Sequence, residues 1–128
     1  MDMEITYLTE EEIIQINKDV VSESAVETDT FGLLKEKDLN FLVERIRGMK
    51  NIWDAAAKLL TGLIEGHIFL EGNKRTALSA LETFLKLNGY NFSIEINEIK
   101  VLYDIAEQKM NFKEIREWIK EHSVKEHG

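Results

Sequence analysis

The chain has 128 residues, enough for one compact domain with a respectable core, and no cysteine, which excludes a disulfide framework and any thiolate metal site. At 44% hydrophobic and 31% charged, with a formal net charge of −8, it reads as globular and argues against general nucleic-acid binding, which depends on neutralising phosphate. No apolar run approaches the roughly 18 residues of a membrane span and no secretory signal opens the chain, so the expectation is a cytoplasmic protein with no membrane contact. Proline is absent as well, so nothing of that kind interrupts a helix.

Met3, Ile5 and Tyr7 alternate with polar residues, a weak strand signal. Thr9 then predicts a helix N-cap, with Glu12 closing a capping box and Leu8 and Ile13 forming a hydrophobic staple. Ile13, Ile16, Val20 and Val21 supply the buried stripe of that helix to about Glu23. Residues 22–30 are polar and acidic and predict an exposed loop, closed by the apolar cluster Phe31-Gly32-Leu33-Leu34. A second helix follows, with Leu39, Leu42, Val43 and Ile46 at core spacing and Gly48 at its end.

Asn51 caps a predicted third helix to about Glu65, whose apolar residues wrap most of its circumference. Its Ala55-Ala56-Ala57 run allows another helix to approach closely. A fourth helix begins after Gly72-Asn73, buries Ala77, Leu78, Leu81, Phe84 and Leu85, and stops at Asn88-Gly89. Two such apolar neighbours belong at the centre of a bundle. Tyr90, Phe92, Ile94 and Ile96 alternate cleanly and predict a short strand. A fifth helix from about Glu98 uses Ile99, Leu102, Tyr103 and Ala106, and a sixth starts at an Asn111…Glu114 box with Ile115, Trp118 and Ile119 inward. The polar residues after it predict a frayed end. The fold class that results is all-α, about six helices in one bundle, with at most a minor short strand or hairpin.

The unusual chemistry gathers in ten residues, His67-Ile68-Phe69-Leu70-Glu71-Gly72-Asn73-Lys74-Arg75-Thr76. A helix start leaves backbone N–H groups unpaired and carries partial positive charge. Lys74 and Arg75 in that first turn are therefore misplaced for stability, each at a cost of roughly 0.3–1 kcal/mol. Cations, free N–H groups and a glycine together make an anion site, most naturally for phosphate. His67 and Glu71 put a base and a possible metal ligand on its flank.

That string closely resembles the signature of the Fic/Doc family, H-x-F-x-(D/E)-(G/A)-N-(G/K)-R. Lys74 with Arg75-Thr76 is similar to the death-on-curing (Doc) branch. The adenylylating Fic branch usually has glycine at the position of Lys74 and a second arginine at the position of Leu78. The resemblance extends to Tyr7-Leu8-Thr9, to Phe84-Leu85 through Asn88-Gly89-Tyr90, and to the late Ala106…Trp118 helix pair, so residues 1–128 are expected to be one Fic/Doc-like domain. Departures fall around Glu23 to Lys37, where Doc-like proteins carry a Gly/Arg-containing loop that helps hold the target. Here Gly32-Leu33-Leu34 is present, but the residues before it are acidic and lack arginine.

The resemblance implies a toxin that transfers the γ-phosphate of ATP to a hydroxyl of a translation factor, elongation factor Tu, with a Phd-like antitoxin as partner. It makes His67 the general base, Glu71 the magnesium ligand, and Gly72, Asn73, Lys74 and Arg75 the nucleotide cradle, with the Asn73 amide facing the nucleotide. Lys74 and Arg75 also count with His67 as catalytic residues. Plainer readings exist for each: a loop histidine, a carboxylate favoured by the helix dipole, turn residues and solvated cations. Two rival functions stand beside the kinase: an adenylyl transferase of the same fold and a catalytically silent helical interaction protein. Thr61-x-x-x-Glu65-Gly66 fits a short inhibitory pattern of Fic proteins but lies inside the third helix and reads as chance. His122 and His127 lack helix-face spacing, so zinc is not expected there.

Overall fold

The start of each long helix follows from a few adjacent residues. The structure, a computed structural model, describes residues 4–24 and 30–126. Helix α1 spans Glu10–Ser22, with the capping box formed as the Thr9 hydroxyl accepts from the Glu12 N–H and the Glu12 carboxylate accepts from the Thr9 N–H. Helix α2 spans Glu36–Arg47 and buries the four predicted residues Leu39, Leu42, Val43 and Ile46. Gly48 ends it in an ordinary right-handed conformation, so no left-handed cap is used there. Helix α3, Ile52–Glu65, is capped by the Asn51 side chain, and α6, Phe112–Glu121, by the Asn111/Glu114 box.

Helix α3 is the hub, packed by α2 on one side and by α4 (Asn73–Leu87), α5 (Lys100–Ala106) and α6 on others. Small side chains make that possible. Ala55, Ala56 and Ala57 are all fully buried, and a Cβ on Gly62 would lie 2.4 Å from Leu42 Cδ1, so glycine lets α2 settle onto α3. The apolar transfer of these side chains is the main stabilising term, about 25 cal/mol per Å² buried. Helix α4 packs on α3, α1 and strand β1 (Tyr90–Phe92), so it runs through the middle of the molecule as its sequence requires. Its far end is held by Asn88, whose amide accepts from the Thr6 N–H at 2.8 Å and donates to the Thr6 carbonyl at 2.9 Å.

Several expectations change. Met3 lies outside the described residues, and residues 4–9 form no strand because the Thr6 backbone is bound by a side chain instead of a neighbouring strand. The acidic loop falls partly at 25–29, also outside the described residues. The strand at Tyr90 stops after Phe92, well short of Ile96, because Glu95 and Glu98 close a capping box around a single 3₁₀ turn, Ile96–Glu98. The chain end is not frayed through Lys125: strand β2, Ser123–Lys125, pairs antiparallel with β1, Tyr90 facing Lys125. His122 fixes this corner, taking the Glu98 carboxylate on Nε2 and the Trp118 carbonyl on Nδ1. The Glu95 backbone N–H, and after it His122, hold the Glu98 carboxyl below its ordinary pKa. Ile99 and Tyr103, expected inward, are 39% and 56% exposed, since the short α5 sets its phase on Leu102 and Ile105.

No helix of the described residues is long and apolar enough to cross a membrane.

Candidate active site

Helix α3 ends at Gly66, where space rather than backbone freedom demands glycine: a Cβ would lie 2.6 Å from the Gly62 carbonyl oxygen. His67 follows in the left-handed region, at φ 47°. That conformation costs a non-glycine residue roughly 1–2 kcal/mol, and such strain clusters at functional positions. The imidazole is exposed and makes no hydrogen bond to any described residue. Beyond it Ile68 and Phe69 turn into the core at 2% and 1% exposure, which anchors the loop on both sides of its backbone bend.

Two partners brace this loop. Residues 32–35 run antiparallel beside it: Leu33 bridges Phe69, the Leu70 N–H donates to the Gly32 carbonyl at 2.8 Å, and the Leu34 and Lys35 N–H groups both donate to the Ile68 carbonyl. The Lys35 ammonium donates to the Gly66 carbonyl at 3.1 Å. On the inner side, Asn73 binds the Phe69 backbone twice, accepting its N–H at 3.0 Å and donating to its carbonyl at 2.8 Å. The Asn73 amide therefore shapes the loop from below, which differs from the expectation that it faces a nucleotide.

Gly72 then turns through φ 72° into α4. Among the helices of ten residues or more, α4 alone lacks both a capping side chain and an acidic residue in its first turn. Its first turn carries Lys74 and Arg75 instead. The cost of cations at a positive helix end is thus unrelieved within the helix. Lys74 rests its ammonium 4.9 Å over the ring of Tyr103 on α5, a contact with no local signal in the sequence. Arg75 reaches back to α1, donating from Nη1 to the Val20 carbonyl at 3.4 Å. Glu71 is half-buried, and its backbone carbonyl accepts from the Asn17 amide of α1. Sequence reasoning overlooked Asn17, because a single asparagine on an amphipathic helix carries no local signal.

The loop thus brings His67, Glu71, Gly72, Asn73, Lys74 and Arg75 into one turn between the ends of two buried helices. An exposed base, a carboxylate and an uncapped cationic helix start can receive a phosphorylated ligand and move a proton beside it. Thr61 and Glu65 sit within α3, with the Thr61 hydroxyl donating to the Lys58 carbonyl of the preceding turn.

Residues 7–85 match the Fic/DOC family, and that stretch contains the whole loop, all of α3 and α4 as far as Leu85. The chain belongs to the Fic/DOC family. Over 60 residues it is 42% identical to the Toxin Doc of Mycolicibacterium smegmatis, a stretch that makes up 47% of this chain and 42% of that protein.

Proposed function

We propose that this chain is a Doc-like toxin of a toxin–antitoxin pair, transferring the γ-phosphate of ATP to a hydroxyl of a translation factor similar to elongation factor Tu. The observation that carries this reading is the uncapped, cationic start of α4, set just beyond an exposed histidine in a strained backbone. The backbone N–H groups at that helix start receive the polyphosphate, and Lys74 and Arg75 balance its charge. No group of three or more His, Asp or Glu suited to a metal occurs among the described residues. Glu71, half-buried just before that helix start, would hold magnesium as a single carboxylate together with substrate phosphates. Bound there, the ion would neutralise charge on the phosphates.

His67 accepts the proton of the target hydroxyl as its oxygen bonds to the γ-phosphorus. The bond from that phosphorus to the β–γ bridging oxygen breaks, and ADP leaves with the electron pair. Positioning and charge stabilisation supply most of the catalysis of phosphoryl transfer, so the shape of the cradle decides which phosphorus is attacked. Lys74 and Leu78 stand where the Fic branch has glycine and arginine, which supports γ-transfer over adenylylation. A Phd-like antitoxin is the proposed neutralising partner.

The test is ATP labelled separately at the α and γ positions, incubated with the protein and a cell extract. Label reaching protein from the γ position alone is the expected result. Label from the α position alone makes the protein an adenylyl transferase, and label from neither makes it a silent interaction protein.

A further inference from the structure

We propose that Asn17 is a positioning residue for this site, acting through the Glu71 carbonyl and the Thr76 hydroxyl. Asn17 occupies a core register of α1, one turn after Ile13 and one turn before Val21, and all three are buried. An apolar residue is the ordinary choice there. The asparagine is 0% exposed, and its Nδ2 donates to the Glu71 carbonyl oxygen and the Thr76 Oγ1, both at 2.9 Å. Those two acceptors lie on either side of the Gly72 turn and the first turn of α4. One side chain thus ties together the two ends of the segment that carries Glu71, Gly72, Asn73, Lys74 and Arg75.

The other half of the same amide argues that this tie is its purpose. Asn17 Oδ1 is buried and has no hydrogen-bond partner among the described residues. A half-satisfied buried amide is a poor way to stabilise a core, and an apolar side chain of the same shape does as well or better. What an apolar side chain cannot do is hold the Glu71 carbonyl. That peptide leads directly into the left-handed Gly72, so its orientation sets both the direction of the Glu71 carboxylate and the aim of the N–H groups that follow. The rest of α1 supports the same loop. A Cβ at Gly72 would lie 3.3 Å from Val20 Cγ1, and Arg75 reaches the Val20 carbonyl. Helix α1 is therefore the platform on which the turn rests, and Asn17 is its polar attachment.

The kinetic half of the test rests on the phosphotransfer reading, and the structural half does not. Two variants are compared with the unaltered protein: Asn17→Leu, which keeps volume and removes the donor, and Thr76→Val, which removes one acceptor. Thr76→Ser restores the hydroxyl and serves as the rescue. In Asn17→Leu, the Thr76 amide, whose N–H is bonded to the Gly72 carbonyl at 2.8 Å across the turn, should lose about tenfold or more of its protection from hydrogen exchange, with exchange in α3 and α6 unchanged and Tm equal to or above that of the unaltered protein. The magnesium concentration for half-maximal phosphate transfer should rise about tenfold, as it does when a group that orients a metal ligand is lost. Thr76→Val should move both readouts in the same direction and Thr76→Ser neither. Protection of the residue-76 amide within twofold of the unaltered protein in both Asn17→Leu and Thr76→Val overturns the proposal. So does a lowered Tm in Asn17→Leu with exchange raised throughout α1 and α4, which is the mark of a purely structural residue. If the unaltered protein transfers no phosphate, the functional reading fails, and the exchange measurement still decides the role of Asn17.

Discussion

His67 is where chemistry and backbone geometry meet most sharply. Its side chain packs against nothing in the core, yet its backbone sits in a conformation that glycine adopts freely and other residues do not. Removing the imidazole therefore separates the two properties. His67→Ala should abolish transfer, a loss of about 10²–10⁴-fold for a general base, with the helical signature in circular dichroism unchanged. His67→Gly should be equally inactive and more stable than His67→Ala by about 1 kcal/mol, because the alanine Cβ retains the left-handed penalty. Thermal melts of the two variants check the order. An inactive His67→Ala with a large fall in Tm would make the residue structural, and full activity in either variant would remove it from the mechanism.

At the scale of the element, α4 carries an unbalanced N-terminus that other long helices of this chain avoid. Two opposing effects meet in Lys74. Replacing it relieves roughly 0.3–1 kcal/mol of repulsion from the helix end, and loses a cation–π contact with exposed Tyr103 worth about 0.5–1 kcal/mol. These nearly cancel, so Lys74→Ala should leave the Tm of the ligand-free protein almost where it was. Magnesium and ATP should raise the Tm of the unaltered protein by mass action, and that rise should shrink or vanish in Lys74→Ala. A rise of the same size in both proteins would take Lys74 out of the cradle. The same helix shows what a sequence discloses. Its start and stop were legible because Gly72-Asn73 and Asn88-Gly89 are local signals, as were the capping boxes of α1 and α6. Strand β2 was not, because Ser123-Val124-Lys125 is three exposed or half-exposed residues that acquire meaning only from β1, which lies more than thirty residues earlier. The alternation of Tyr90 to Ile96 overstated its strand because the Glu95–Glu98 box competes for the same backbone. At the site, the residue types of the loop were legible and their braces were not: Asn17, Lys35 and Tyr103 come from distant segments and meet the loop only in the fold.

Across the whole molecule, α4 joins two dissimilar ends. One holds the cationic turn, and the other is the Asn88 clamp that fastens residue Thr6 to the helix. Between them the helix is buried against α1, α3 and β1, so the cationic turn stands on the core while its outer face, with Leu34 at 59% and Leu70 at 50% exposure, remains uncovered. Exposed apolar side chains beside the His67–Arg75 loop suit contact with another protein, and two such contacts belong to the proposed function: the target to be modified and the antitoxin that would block it. A toxin of this kind should arrest growth when expressed alone. His67→Ala expressed to the same level should be harmless, which ties arrest to chemistry instead of to aggregation or load. If the proposal holds, coexpression of a small protein encoded beside this chain should restore growth, and a segment of that protein should fold onto this chain by burying apolar side chains in a groove. The measurement is colony formation after induction, with protein levels checked by immunoblot. Arrest by both the unaltered protein and His67→Ala would place the toxicity outside the site. Unimpaired growth at high expression, together with γ-phosphate transfer in the labelling assay, would leave the enzyme intact and remove the toxin role.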